Sequence, residues 1–362
     1  MNKKIKLAII SRGFSPDTIS GRETVIYNLW KIAKQHYEVN LISGWKNNPT
    51  LLPKDSYKID ISTKNKAINY LKFYWDCRKY LKNINPDLIL ANTLEIPKMN
   101  IPTVMIVYDF NFGKAVGFEN NSIIKRSLIY RKLKSVDKVI AISSATKKNI
   151  LKLGISNKKV NTIHVGVDTN KFVPKYPSNT KFTITYPSRI LSGKGQHLAI
   201  EAIKLIAPEL RKKLRLIIAG YISDYKYYKK IKELAEGLPV DFETNVTDLV
   251  PYYQKADIVI FPTIMEEGFG YTAVEAMSCE KPVIYTDFPA IIESTGNIGI
   301  NFKRGVASKL AEGITKLYKD KKLRLKMGKE GRNYVLNHYR WDKVFRNYQK
   351  VYNELLVNEK NG

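Results

Sequence analysis

The stretch Asp257-Ile-Val-Ile-Phe-Pro262-Thr-Ile-Met-Glu-Glu267-Gly-Phe-Gly-Tyr-Thr-Ala-Val-Glu275-Ala-Met277 contains the change of period that decides the fold. Ile258 to Phe261 form an unbroken apolar run closed by a proline, the pattern of a buried strand. Thr272 and Glu275 stand at capping-box spacing, in which the threonine hydroxyl caps the first turn of a helix and the glutamate reaches back to the cap's own N–H. A buried strand leading through a short loop into a helix is the unit of a parallel α/β sheet. Ligands of such sheets bind outside the carboxyl ends of the strands, where this loop lies. Gly268 and Gly270 let the backbone approach a ligand closely, and the helix start offers free N–H groups and a positive dipole end. The turn suits something polar or anionic, with a purely structural Glu275 as the alternative.

The same unit recurs on both sides. In the first half, strand-like runs fall at 5–10, 37–43, 87–91, 103–108 and 138–142, with helical patterns at 23–35, 68–83 and 145–153. The pattern breaks at the proline-bearing polar segment Phe172-Val-Pro-Lys-Tyr-Pro-Ser-Asn179. A second series follows, with strands at 182–187, 215–219, 240–243, 257–261 and 282–285 and helices at 196–206, 227–235, 246–254 and 272–279. Apolar residues at 341, 344, 345, 348, 351, 352 and 355 make one face of a last helix. The expected architecture is α/β with two Rossmann-like domains facing a cleft. Residues 1–172 form the first domain, 173–338 the second, and 339–362 a helix that crosses back to the first. No GxGxxG follows the first strand, so an NAD-type dehydrogenase has little support.

The composition narrows the chemistry. A chain of 362 residues, 44% hydrophobic, is not disordered. Cys77 and Cys279 have no CxxC spacing and the four histidines no HExxH, so neither a metal site nor a disulfide framework is expected. The opening MNKKIKLAII reads as a strand rather than a signal peptide, and no apolar run reaches membrane-span length, which gives a cytoplasmic expectation. The net charge of +28 leans to the first half, with 29 basic against 12 acidic residues through position 170. There Lys72, Arg78, Lys79 and Lys82 share a stretch with Tyr70, Phe73, Tyr74 and Trp75, and a second basic stretch runs from Lys125-Arg126 to Arg131-Lys132-Leu-Lys134. Such helices suit an anionic membrane surface or an anionic ligand, with solvated faces of a lysine-rich protein as the alternative. No nucleic-acid motif is present, and nucleic acid is not an expected partner.

After the first strand of the second series comes Ser188-Arg189-Ile-Leu-Ser-Gly-Lys194-Gly195. A fork-shaped guanidinium and a mobile ammonium flanking a glycine turn suit a diphosphate. Across the chain, the loop 14–23, ending Gly21-Arg22-Glu23, leads from the first strand into the first helix and has backbone N–H groups to offer the same anion.

Glu267-Gly-Phe-Gly-Tyr-Thr-Ala-Val-Glu275-Ala-Met resembles the E-x7-E signature of glycosyltransferase family 4, retaining enzymes of the GT-B fold. Ser20-Gly21-Arg-Glu, residues 136–146, Gly166-Val-Asp168, Arg189 with Lys194-Gly195, and the Trp341 helix match in the expected order. The resemblance implies a hexosyltransferase; with the cytoplasmic expectation, the basic and aromatic first half would suit the inner face of the cell membrane, with solvated helix faces as the alternative. The enzyme would move a hexosyl or N-acetylhexosaminyl group from a UDP- or GDP-sugar to a glycan or lipid-linked hydroxyl in cell-surface polysaccharide or glycolipid synthesis. Arg189 and Lys194 would hold the diphosphate with Gly21 and Arg22, Glu275 the ribose, and Glu267 the sugar hydroxyls. Ser188, Phe269, Gly270, Tyr271 and Thr272 would complete the donor site. Tyr108-Asp109 stands where many relatives carry His-Asp, so only Asp109 is carried over as a sugar or acceptor contact. No metal or cofactor is required. The alternative is a catalytically silent partner of an active glycosyltransferase.

Overall fold

Fully apolar strands such as Leu-Ile-Leu-Ala at 88–91 and Ile-Val-Ile-Phe at 258–261 cannot face water on either side, so they pair in parallel and take helices over both faces. The computed structural model describes residues 4–15, 21–108, 123–176 and 178–360. Asp109 lies outside them. The chain divides into two compact units, Met1–Gly166 with Trp341–Gly362, and Val167–Arg340.

In the first unit the strands are β1 (Lys6–Ser11), β2 (Glu38–Trp45), β3 (Tyr57–Asp60), β4 (Leu88–Ala91), β5 (Thr103–Val107), β6 (Lys138–Ala141) and β7 (Val160–Thr162). They pair in parallel in the order β3-β2-β1-β4-β5-β6-β7. The second unit holds β8 (Phe182–Pro187), β9 (Leu214–Gly220), β10 (Val240–Thr244), β11 (Ile258–Phe261), β12 (Val283–Thr286) and β13 (Ile300–Phe302). Their order is β10-β9-β8-β11-β12-β13, again parallel. Each sheet reverses its strand order once at its centre, between β1 and β4 and between β8 and β11, and such a reversal opens a crevice at the carboxyl ends.

The strands expected from sequence are present to within a residue or two. The helix expected over 246–254 is not: only Val250–Gln254 is helical. Asn245 takes a left-handed backbone (φ 59°), and Pro251, which fits only a first helical turn, fixes the start beside it. Strands β3, β7 and β13, of three or four residues, are too short to show a period. The basic stretch 125–134 lies in the helix Ile123–Ser135.

The helix Lys66–Ile84 is capped by Asn65, whose side-chain oxygen accepts from the N–H of Ala67 (3.0 Å) and Ile68 (3.2 Å). Asn85 ends it in a left-handed conformation, with Pro86 behind. Phe73, Cys77 and Leu81 face the core. Opposite them Ile68, Leu71 and Trp75 are 52%, 55% and 60% exposed.

The last helix, Trp341–Lys360, lies against Gly21–Ala33 of the first unit. Val344, Phe345, Tyr348, Val351 and Tyr352 are buried on the face that the spacing gave. Phe345 stacks on His36 (5.6 Å between centroids) and meets Tyr37 edge-on (6.2 Å). Phe345→Ala leaves a ring-sized cavity and is expected to lower the unfolding free energy by about 3–5 kcal/mol. Urea denaturation measures this, and a loss under about 1 kcal/mol would show that the helix contributes little to the unit.

Candidate active site

β8 and β11 are neighbours in the sheet although β9 and β10 separate them in the chain, so the loops after them meet at the central reversal. The meeting is close. The carbonyl of Gly193 accepts from the N–H groups of Ile264 (3.0 Å) and Met265 (2.9 Å). A Cβ on Gly195 would lie 2.0 Å from the carbonyl oxygen of Pro262, and its φ of +73° favours glycine independently. Between the two glycines sits Lys194, its carbonyl accepting from the hydroxyl of Tyr186 (2.5 Å).

That anchoring carries the Lys194 side chain to Glu267. Nζ and Oε1 are 2.5 Å apart, with side chains only 12% and 15% exposed. Thr263 Oγ1 stands 3.1 Å from the same carboxylate oxygen, and Lys194 Nζ lies 5.5 Å from the Phe261 ring centroid. Two charges so far withdrawn from water are tolerable only as a pair: either alone would carry a large uncompensated desolvation cost. The Arg189 side chain is exposed and makes no ion pair or hydrogen bond among the described residues, while its carbonyl is held by Gln196 Nε2 (2.8 Å). Lys194 and Glu267 are thus joined to each other, and Arg189 extends from the same loop toward solvent. Ser188 is buried and donates its N–H to the carbonyl of Ala219 (2.9 Å).

The capping box is corrected. The helix runs from Tyr271 to Ser278 and is entered through Gly270, whose left-handed backbone (φ 93°) starts it earlier than a threonine cap would. Thr272 lies inside the first turn, with its hydroxyl 3.3 Å from the carbonyl of Pro187 at the end of β8. Glu275 does not reach back to the helix start. It accepts a 2.6 Å hydrogen bond from the hydroxyl of Tyr253, a partner that the sequence gave no reason to expect. Glu275 keeps a little accessible surface yet lies among protein atoms on nearly all sides. Burial raises its pKa from 4.5 to about 7, opposed by the Tyr253 hydrogen bond and the more distant charge of Lys171.

Phe269 is buried, with its ring edge-on to Tyr271 (5.7 Å) and Tyr339 (5.2 Å), so only its backbone is available to a ligand. Gly270 and Tyr271 open the helix beside it. Gly21 and Arg22 belong to the first unit, at the start of the helix Gly21–Ala33, with the Arg22 guanidinium 6.0 Å from the Tyr108 ring centroid. Thr263, Tyr253 and Tyr186 join the site from the structure alone.

Two family models match the chain in succession: "Glycosyltransferase Family 4" over residues 19–171 and "Glycosyl transferases group 1" over residues 168–334. The chain is a GT-B glycosyltransferase. It is 28% identical over 242 residues, 60% of this chain and 62% of the relative, to the capsular polysaccharide biosynthesis glycosyltransferase CapM of Staphylococcus aureus. It is 24% identical, over 80% of this chain and 82% of the relative, to the N,N'-diacetylbacillosaminyl-diphospho-undecaprenol alpha-1,3-N-acetylgalactosaminyltransferase of Campylobacter jejuni. The structure of Anabaena HepE in complex with UDP and glucose superposes with a TM-score of 0.79 at 19% identity, covering 97% of this chain and all of that one. Among the described residues, this glycosyltransferase has no helix long and apolar enough to cross a membrane, and no cluster of three metal-ligating side chains.

The Glu275 carboxyl ties stability to pH. Its folded pKa lies above its unfolded value, so the folded state binds the proton more tightly. The resulting stability is fully present below about pH 4.5 and is lost as pH rises through about 7. Between pH 5 and pH 8 the loss is at most about 3 kcal/mol. Glu275→Gln keeps an acceptor for Tyr253 without the charge, so it should decline less than the natural chain over that interval in urea unfolding. Parallel profiles for the two proteins would sink the assignment.

Proposed function

We propose that this glycosyltransferase transfers a hexosyl or N-acetylhexosaminyl group from a nucleotide-diphosphate sugar to a hydroxyl of a glycan or lipid-linked acceptor, with retention, in cell-surface polysaccharide or glycolipid synthesis. The observation that carries the reading is the Lys194–Glu267 pair at the β8/β11 reversal, with exposed Arg189 on the same loop as Lys194 and the helix Tyr271–Ser278 starting four residues after Glu267. A diphosphate arriving there finds a guanidinium, an ammonium and helix N–H groups. Lys194 exchanges its carboxylate partner for the phosphate, and Glu267 is released to accept hydrogen bonds from sugar hydroxyls. As the bond from C1 to the diphosphate oxygen breaks, charge grows on the leaving group, and cations already in place stabilise it without reorganisation. Glu275 is assigned to the ribose, the backbone of residues 269–271 to the sugar, and Gly21, Arg22 and Asp109 to contacts from the first domain. The acceptor hydroxyl oxygen bonds to C1 on the face that the nucleotide leaves, and its proton passes to the departing diphosphate oxygen. Arg189 and Lys194 stabilise the leaving group, and no metal is assigned a step. The names of CapM and the Campylobacter relative, and the UDP and glucose in the HepE structure, agree with the donor and acceptor classes.

Thermal unfolding with UDP, GDP, ADP and their sugar conjugates, in a chelating buffer, tests the donor site. A nucleotide at one hundred times its dissociation constant adds about 2.7 kcal/mol of apparent stability. Lys194→Ala should lose that shift and about 10²- to 10³-fold in kcat/KM. Glu267→Gln should keep the shift and lose transfer. Undiminished transfer by an assembly of Glu267→Ala with an active glycosyltransferase would favour the silent-partner reading, and the absence of any nucleotide shift would remove the donor site.

In the same reading the first domain rests on an anionic membrane face. Ile68, Leu71 and Trp75 point away from the core on the helix Lys66–Ile84, and Arg78, Lys79 and Lys82 continue the same outward strip. An apolar stripe followed by cations complements a bilayer carrying anionic lipid. The protein should sediment with phosphatidylglycerol-containing vesicles and about tenfold less after Leu71→Ala with Trp75→Ala. Equal sedimentation with neutral vesicles, or of the variant, would remove the membrane contact.

A further inference from the structure

The first unit has a cavity of its own, of about 540 Å³ and with charged side chains in its walls, at the carboxyl ends of β3, β2, β1 and β4. Its walls include Arg12, Arg22, Lys46, Lys64 and Lys66, against only Glu23 and Glu95. A larger cavity, of about 660 Å³, lies at the amino ends of β5 and β6, the edge where sheets of this kind do not bind substrate.

The charges in the smaller cavity are not equivalent. Arg12 follows β1 and Glu95 follows β4, and they form an ion pair across the reversal, with side chains 16% and 2% exposed. Each is consumed by the other. Lys64 and Lys66 are exposed and make no ion pair or hydrogen bond with a carboxylate among the described residues. The loop that carries them is fixed. Asn69 Nδ2 donates to the carbonyls of Ile61 (2.9 Å) and Thr63 (2.8 Å), its Oδ1 accepts from the Thr63 hydroxyl (2.7 Å), and Asn65 between the two lysines caps the helix. Two uncompensated ammonium groups on a prearranged loop do not suit a neutral sugar, whose hydroxyls are held by a mixture of donors and acceptors. They suit an anion with several acceptor oxygens.

We propose that this cavity binds the phosphate or diphosphate of the acceptor, so that the acceptor is a phosphate-bearing molecule rather than a neutral glycan. The inference rests on the proposed transfer to an acceptor hydroxyl and adds that the first domain takes that acceptor. The same chemistry is present in a lipid diphosphate and in a soluble sugar phosphate.

The test is calorimetric titration of the full chain, saturated with UDP so that Arg189 and Lys194 are occupied, with inorganic pyrophosphate. One further pyrophosphate should bind, at least tenfold more weakly after Lys64→Gln with Lys66→Gln, while UDP binding is unchanged. No uptake beyond UDP, or uptake indifferent to the two lysines, overturns the proposal and leaves the donor site standing. Pyrophosphate binding that depends on the lysines in a protein that ignores UDP supports the cavity and removes the donor reading. Displacement of pyrophosphate by farnesyl diphosphate in phosphatidylcholine vesicles, but not by glucose 1-phosphate, assigns the anion to a lipid, and the reverse to a sugar phosphate. Displacement by neither leaves an adventitious ion only and overturns the proposal.

Discussion

Residue 195 has room for nothing larger than a glycine, because a Cβ there would stand 2.0 Å from the carbonyl oxygen of Pro262. That one close approach determines how the two loops at the β8/β11 reversal meet. It lets the Gly193 carbonyl take two N–H groups from the opposite loop, which fixes the turn carrying Lys194. With the turn fixed and the Lys194 carbonyl tied to Tyr186, the ammonium has a defined reach, and Glu267 lies at its end. The helix Tyr271–Ser278 follows Glu267 by four residues, so its N–H groups open on the same crevice. A bulkier residue at 195 would move the loop, the cation and the helix entrance together.

This dependence explains which parts were legible in the sequence. The strands were, since runs such as 88–91 and 258–261 are apolar on both faces and fit only a covered parallel sheet. So was the last helix, whose seven-residue apolar stripe returned buried through Val344, Phe345, Tyr348, Val351 and Tyr352. Arg189, Lys194 and Glu267 were legible because each sits just past a strand end. The helix start at 271 was misread because a glycine in a left-handed conformation can replace a side-chain cap, and the capping-box spacing of Thr272 and Glu275 was coincidental. Tyr253 was invisible for another reason. It reaches Glu275 from a different helix, 22 residues away, and no local pattern encodes such a contact. The outward strip of the helix Lys66–Ile84 was half legible: its cations were apparent, but only burial separates Phe73, which faces the core, from Trp75, which does not.

Six strands of the first sheet follow the same order as the six of the second, and each sheet places a cation and a glutamate across its reversal. In the first, Arg12 after β1 meets Glu95 after β4; in the second, Lys194 after β8 meets Glu267 after β11. Their burial separates their roles. Glu95 is 2% exposed and its partner is a guanidinium with many donors, so the pair closes the base of a cavity and has little to gain from exchange. Glu267 is 15% exposed and its partner is an ammonium on a flexible stem, free to turn to another anion without moving the backbone. A buried pair stabilises a fold weakly, because desolvation offsets most of the attraction. What such a pair can do is hold two charges ready, each screening the other's desolvation until a ligand supplies a better partner. On this argument the first pair is a fixed support at the base of its cavity, and the second is the pair able to exchange partners when an anion reaches it.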